Sequence, residues 1–389
     1  MNEYNSCLMN TYSPLDVSFN YGEGACLYDT NNKKYIDFTS GIGVNSLGYN
    51  NEKWKEAILG QLNKFQHLSN IFSNTTTIEL AKKITELSGM SKVFFANSGA
   101  EANECAFKLA RKYSFNKYGN NRNVILSLKQ SFHGRTLAAL TATGQDKFHN
   151  YFFPFPEGFD YVTANSIDDF KEKLNDNVCA IIMEAIQGEG GLHPLNKNFV
   201  REVCDLAIAN DILIIFDEVQ CGISRTGNLF GFNEFNVTPD IITTAKGLGA
   251  GLPIGATLCN EKLSEVFVFG DHGTTFGGNP VVCAGAISVL DQLCNEETYS
   301  SIKAKGKLIK DTILNNNIDI VKEVRGIGLM IGIEVNGDSS IIQKEALKNG
   351  LLTLTAGKHV VRLLPPLTIT DEEFKEGLDI LIKVLKANN

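Results

Sequence analysis

The 389-residue chain has no long basic run, no Cys-x-x-Cys pair, no internal repeat and no low-complexity linker. Each absence removes a class of function. Lys and Arg number 36 against 44 Asp and Glu, a net charge of −8. Such a surface offers little to nucleic acid or to an anionic membrane, so neither is expected as a partner. None of the nine cysteines stands at zinc-ligand spacing with the six histidines, so no metal site is expected. Cys179 and Cys259 sit inside apolar, strand-like runs and read as core packing. An odd number of unpaired thiols suits a reducing compartment, and a cytoplasmic location is expected. The N-terminal stretch "MNEYNSCLMNTYSPLD" has neither the basic start nor the apolar core of a signal peptide. No apolar run approaches the roughly 20 residues of a membrane span.

What is present is an alternation. Apolar runs recur at 92–97 (KVFFAN), 123–128 (NVILSL), 178–185 (VCAIIMEA), 211–218 (DILIIFDE), 240–246 (DIITTAK) and 254–259 (IGATLC). Continuous apolar strands imply burial on both faces. Helical patterns fall between them, at 101–118 and 197–210. In the first, Ala102, Cys105, Ala106, Leu109, Ala110 and Tyr113 recur at helical spacing, with Glu104, Lys108 and Lys112 outward. The fold class is therefore α/β, a mostly parallel sheet flanked by helices. Beyond about 286 a long helical stretch (285–315), "VKEVRGIGLMIGIEV", and two further helices around "VVRLLPPLTIT" read as a smaller α+β domain. "ACLYDTNNKKYIDF" predicts a hairpin turning at Asn31-Asn32.

Parallel sheets place their sites beyond the carboxyl ends of the strands. Three such ends carry unusual residues. "FFANSGAEANE" stops a strand at Asn97 and opens a helix with a Ser98/Glu101 capping pattern and two small residues, a suitable anchor for phosphate. "ILIIFDEVQ" delivers Asp217 from a buried strand. "ITTAKGLGAGLPIG" places Lys246 beside a glycine-rich loop whose spacing fits neither G-x-G-x-x-G nor the Walker order. Singly, these are a tight turn, half of an ion pair and a lysine that reaches solvent. Jointly, a phosphate anchor, a buried carboxylate and a buried lysine are the parts that hold pyridoxal 5'-phosphate.

"NSGAEANECAFKLAR", "SFHGRT", "MEAIQGEGG", "LIIFDEVQCGISRTG", "TTAKGLGAGLPIGA" and "HGTTFGGNP" together resemble the class III aminotransferases of fold type I, in order and over nearly the whole chain. The resemblance implies a mixed, mostly parallel sheet flanked by helices. It implies a large cofactor-binding domain at 46–285 and a smaller α+β domain at 286–389, joined by the N-terminal segment 1–45. Lys246 matches the Schiff-base lysine and proton shuttle, and Asp217 the partner of the pyridine nitrogen. Val219 and Phe132 match the residues pressing the two ring faces. Gln220 matches the contact to the phenolic oxygen, and Ser98, Gly99 and Ala100 the phosphate contacts. Thr275 matches a residue that reaches the neighbouring subunit's phosphate, which implies a homodimer with shared sites.

The resemblance also assigns substrate contacts. Arg362 matches the arginine that clamps an α-carboxylate, and Glu189 the glutamate that pairs with it when a terminal amine is bound. Arg135 is expected at the far carboxylate. Thr274 stands where relatives often carry serine, and it retains a hydroxyl for substrate. "FTSGIGVNSLGY" is similar to the acetylornithine branch, whereas ornithine-specific members tend to carry an aromatic at Gly41 or Ile42. The implied reaction takes N-acetylornithine and 2-oxoglutarate to N-acetylglutamate 5-semialdehyde and glutamate, a step of arginine biosynthesis. Ornithine, 4-aminobutyrate and succinyl-diaminopimelate remain open as donors, as does a glutamate-1-semialdehyde aminomutase.

Overall fold

The computed structural model describes residues 7–388, so the first six residues of the N-terminal stretch and Asn389 lie outside the described residues. A seven-stranded sheet forms the centre. Its strands run in the order Lys92–Ala96, Gly255–Cys259, Ile241–Thr244, Leu213–Asp217, Val178–Met183, Val124–Leu128 and Phe159–Val162. All are parallel except Gly255–Cys259, which runs against both neighbours. The sheet is thus mixed and mostly parallel, with six strands where the apolar runs predict them. The seventh, Phe159–Val162, is an edge strand only partly buried, and its weak apolar run hides it.

Val178–Met183 and Leu213–Asp217 are buried at every position, because helices cover both faces. Gly99–Tyr118 is one of these helices, buried along Ala102, Cys105, Ala106, Leu109 and Ala110 as its periodicity predicts. Tyr113 departs from that stripe. It is half-buried, with its hydroxyl donating to the Asp211 carboxylate (3.2 Å). Lys197–Ala209 forms the second predicted helix. Cys179 and Cys259 are buried free thiols in the sheet.

The predicted hairpin pairs Cys26–Asp29 with Lys34–Asp37, and Asn32 takes a positive φ of 61° in its turn. Asp29 Oδ1 accepts from the amides of Asn31 (2.8 Å) and Lys33 (2.9 Å), which closes the turn. Leu351–Leu352 adds to this sheet beside Lys34–Asp37, so chain from both ends shares one sheet. A second small sheet holds Val321–Ile327, Met330–Val335, Val360–Leu363 and Leu354–Thr355. The 285–315 stretch is two helices, Pro280–Leu293 and Glu296–Asn315. They part at Cys294-Asn295, where Asn295 caps the second helix by accepting from Thr298 N (2.9 Å). Position 285 falls inside the first of them. Among the described residues no helix is long and apolar enough to cross a membrane.

Candidate functional site

The carboxyl ends of Lys92–Ala96, Val178–Met183, Leu213–Asp217 and Ile241–Thr244 open on one cavity of about 420 Å³. Ser98, Gly99, Ala100, Phe132, Arg135, Glu189, Asp217, Val219, Gln220 and Lys246 all line it. The sequence separates these residues by up to 148 positions, and parallel strand direction brings them together.

Asp217 is 3% exposed and fully engaged. Its Oδ2 accepts from Asn103 Nδ2 (2.8 Å) and pairs with His133 Nδ1 (2.8 Å), while Oδ1 accepts from Val219 N (3.0 Å). Asn103 is fixed in turn, donating also to His133 O (2.8 Å) and accepting from Thr243 Oγ1 (2.7 Å). The carboxylate is therefore pre-oriented at the cavity wall rather than free to swing. A buried charge so held is poised for a cationic group.

Ser98 caps helix Gly99–Tyr118, accepting from Glu101 N at its hydroxyl (3.2 Å) and from Ala102 N at its carbonyl (3.1 Å). The capping pattern is displaced by one residue from the predicted one. Glu101 accepts from Asn97 N (2.5 Å) and Asn97 Nδ2 (2.9 Å), where a capping box would use the Ser98 amide. The amides of Gly99 and Ala100 have no acceptor within the helix and stand at its positive end. A Cβ at Gly99 would lie 2.6 Å from Val219 Cγ1, so only glycine leaves this wall in place.

Lys246 follows Ile241–Thr244 through Ala245 and sits at a φ of +39°, a conformation side chains rarely adopt. Burial pushes its ammonium pKa down; Glu189 opposes that shift and Arg362 adds to it. A lysine so placed loses its proton more readily than one in water.

Arg362 and Glu189 form an ion pair at the cavity's edge. Arg362 Nη1 also donates to Gly188 O (3.1 Å) and Gln220 Oε1 (3.4 Å), and Gln220 Nε2 donates to Glu189 (3.4 Å). Burial works against the Glu189 charge, but the Arg362 guanidinium outweighs it and holds the carboxyl below its ordinary value. Arg362 Nε is buried with no partner, so the guanidinium keeps an unmet donor. Arg135 also lines the cavity, its guanidinium 4.1 Å over the Phe148 ring and 5.5 Å from the centre of the Phe132 ring.

Three predicted residues stand outside the lining: Arg362, which reaches it through Glu189 and Gln220, and the two threonines, Thr274 and Thr275. Thr274 is one step back, its hydroxyl accepting from Asn97 Nδ2 (3.3 Å) and Gly277 N (3.1 Å). Thr275 is exposed and away from this chain's cavity.

Sequence reasoning missed His133, Asn103, Thr243 and Glu184. The signal for Glu184 was present, because "VCAIIMEA" is a second buried strand that ends by delivering an acid. Glu184 accepts from Phe132 N (2.9 Å) and Gly188 N (3.3 Å), tying two cavity loops together. Burial pushes its pKa up to about 7, with His133 opposing and Asp217 reinforcing. Asn103 falls on the buried stripe of its helix, and a polar residue there was the mark.

Comparison with known proteins follows the same lines. Residues 8–385 match the family model described as aminotransferase class-III. An acetylornithine aminotransferase of Haemophilus ducreyi is 47% identical over 382 residues, 97% of this chain and 96% of that protein. The crystal structure of N-acetylornithine aminotransferase from Stenotrophomonas maltophilia K279a is 34% identical with a TM-score of 0.86, covering 97% of each chain. That of ornithine aminotransferase from Toxoplasma gondii ME49 is 30% identical with a TM-score of 0.95, covering 100% of this chain and 94% of that one.

Proposed function

Because the chain belongs to the class-III aminotransferase family, we propose that it moves the terminal amine of N-acetylornithine to 2-oxoglutarate, in the cytoplasm, with pyridoxal 5'-phosphate as cofactor. The products are N-acetylglutamate 5-semialdehyde and glutamate. The observation that carries this reading is the Glu189–Arg362 pair beside Lys246. An amine donor with no carboxylate near the reacting carbon leaves an arginine unpaired, and a buried unpaired charge is costly. Glu189 supplies the missing charge. When glutamate or 2-oxoglutarate enters, its α-carboxylate takes Glu189's place on the Arg362 fork.

The residues present fit the cofactor. The free amides of Gly99 and Ala100, with Ser98 beside them, suit its phosphate. Asp217, fixed by Asn103 and His133, suits a protonated ring nitrogen. Val219 and Phe132, which line the cavity, would wall the two ring faces, and Gln220 would serve its phenolic oxygen. Bound pyridoxal phosphate supplies an electron sink for the carbanion left when a substrate carbon loses its proton. Lys246 Nζ is the base that takes that proton and returns it, a role its lowered pKa favours. Arg135 binds the far carboxylate and Thr274 supports substrate through Asn97.

A second copy completes the site. Ile71, Phe72 and Phe276 are 86%, 64% and 62% exposed, a large apolar surface around Thr275. Asn70 donates to Thr274 O (3.2 Å) and Gly277 O (3.0 Å), which joins the two segments into one face. On this reading Thr275 serves the partner's phosphate. Residues 46–285 form the cofactor-binding body, and 1–45 with 286–389 the smaller one.

The test is a coupled assay with acetylornithine, ornithine, 4-aminobutyrate and succinyl-diaminopimelate as donors. Acetylornithine is expected to give the highest kcat/KM. A preference for ornithine of about tenfold or more, roughly the worth of one good contact, overturns the assignment. Turnover without added 2-oxoglutarate points to a mutase instead. Glu189→Ala is expected to slow the acetylornithine half-reaction about tenfold more than the glutamate half-reaction. Equal losses in both remove the charge switch.

A further inference from the structure

Ser40, Gly41, Ile42 and Gly43 have φ values of 47°, 59°, 69° and 75°, a complete left-handed turn. L-residues avoid this conformation, and a β-branched isoleucine avoids it most. Such a turn persists only where its surroundings impose it. The surroundings here converge on one side chain. Asp37 is fully buried. Its Oδ1 accepts from Thr39 N (2.7 Å), and its Oδ2 accepts from Ser40 N (3.1 Å) and from Tyr49 Oη (2.8 Å). Thr39 extends the grip, accepting from Gly41 N at its hydroxyl (3.2 Å) and from Gly43 N at its carbonyl (2.9 Å).

The turn touches both halves of the proposed site. Ser40 Oγ donates to Leu364 O (2.6 Å), and Leu364 N donates to Phe38 O (2.7 Å), two residues beyond Arg362. Buried Arg225 holds the other side of that segment, donating to Pro365 O (2.5 Å) and Leu329 O (3.1 Å). Ser46 Oγ donates to Gly247 O (2.8 Å), next to Lys246, and Ser46 O accepts from Leu367 N (2.8 Å). Val44, directly after the turn, lines the cavity.

We propose that Asp37 is a positioning residue: by imposing the left-handed turn at Ser40–Gly43 it keeps the Arg362 strand and the Lys246 turn in register for a dicarboxylate substrate. This rests on the proposed function for the roles of Arg362 and Lys246. A carboxylate is needed because three donors face two oxygens, and an asparagine would turn an NH₂ group towards one set of them.

The test is a double-mutant cycle on the holoenzyme with Asp37→Asn and Ile42→Gly, read by calorimetric titration of glutarate. If Asp37 opposes the cost of the left-handed isoleucine, glycine at that position removes the need for it. Asp37→Asn is expected to weaken glutarate about tenfold alone, the equivalent of one residue's left-handed cost, and under about threefold in the Ile42→Gly background. Equal losses in both backgrounds, or unchanged glutarate affinity with a lowered thermal midpoint, overturn the proposal and leave Asp37 a purely structural residue. Failure of the wild-type enzyme to bind glutarate and to act on acetylornithine sinks the proposed function instead. The cycle is then read on thermal midpoints. There Asp37→Asn is expected to cost about 2 °C alone and less in the Ile42→Gly background. Equal costs contradict the proposal.

Discussion

Asp217, Glu218 and Glu184 all stand at the ends of buried strands, and their donors separate their roles. Asp217 has two side-chain partners, Asn103 and His133, the first held also by Thr243, and faces the cavity. Glu218 points the other way. It accepts from Gly231 N (2.7 Å) and Phe232 N (2.9 Å), and it pins the following loop. Burial pushes Glu218 up to about 8, against those two amides, and Glu184 up to about 7. A carboxyl whose folded pKa lies above its unfolded value binds its proton more tightly in the native state. Its contribution is present below the unfolded value and is lost as pH rises through the folded one. The cofactor-free protein should therefore lose stability on the order of a few kcal/mol between about pH 5 and about pH 8. Urea titrations across that range check it, and Glu218→Gln should flatten the slope. A flat curve would place both carboxyls as ordinary ionised groups. At this scale Asp217 and Lys246 were legible because charged residues at the ends of apolar strands are rare. His133 and Asn103 were not, because a polar side chain on a buried helix stripe or in a loop shows its purpose only when its partner from a distant strand is known.

Among the elements, strand direction was the part hardest to read. Gly255–Cys259 has the same apolar texture as its parallel neighbours, yet it returns antiparallel. The ten residues 245–254 explain this, since a parallel return needs a crossover of a dozen or more. The reversal brings Gly255 against the Ser98 turn, the proposed phosphate anchor, where a Cβ would lie 2.2 Å from Ser98 O. Gly255→Ala should thus force the Ser98 turn aside. A loss of about 1–3 kcal/mol in urea unfolding is expected, the usual cost of overpacking, with weaker cofactor retention on dialysis. Unchanged retention would mean that the turn does not set the anchor. The break between Pro280–Leu293 and Glu296–Asn315 was legible in principle. Asn295 followed by two glutamates is a helix start, hidden inside a pattern that keeps its apolar period on both sides.

For the whole molecule, the order of apolar runs sufficed for the layered α/β body, because burial on both faces writes itself into each strand. The joining of Lys34–Asp37 with Leu351–Leu352 could not be read that way, since two residues of strand leave no period to detect. The exposed apolar face around Ile71, Phe72 and Phe276 belongs to this scale as well. If it is the dimer contact, Phe276→Asp should shift sedimentation from dimer towards monomer and lower kcat about tenfold or more, because a charge buried in an apolar interface is costly. A dimeric, active variant would locate the contact elsewhere. The central claim is that Lys246 and Asp217 serve one cofactor. It is tested most directly by reducing the holoenzyme with borohydride and mapping the attached pyridoxyl group by peptide mass. The account predicts the label on the peptide containing Lys246 and on no other. Label on a different lysine, in an enzyme that is active before reduction, would contradict it.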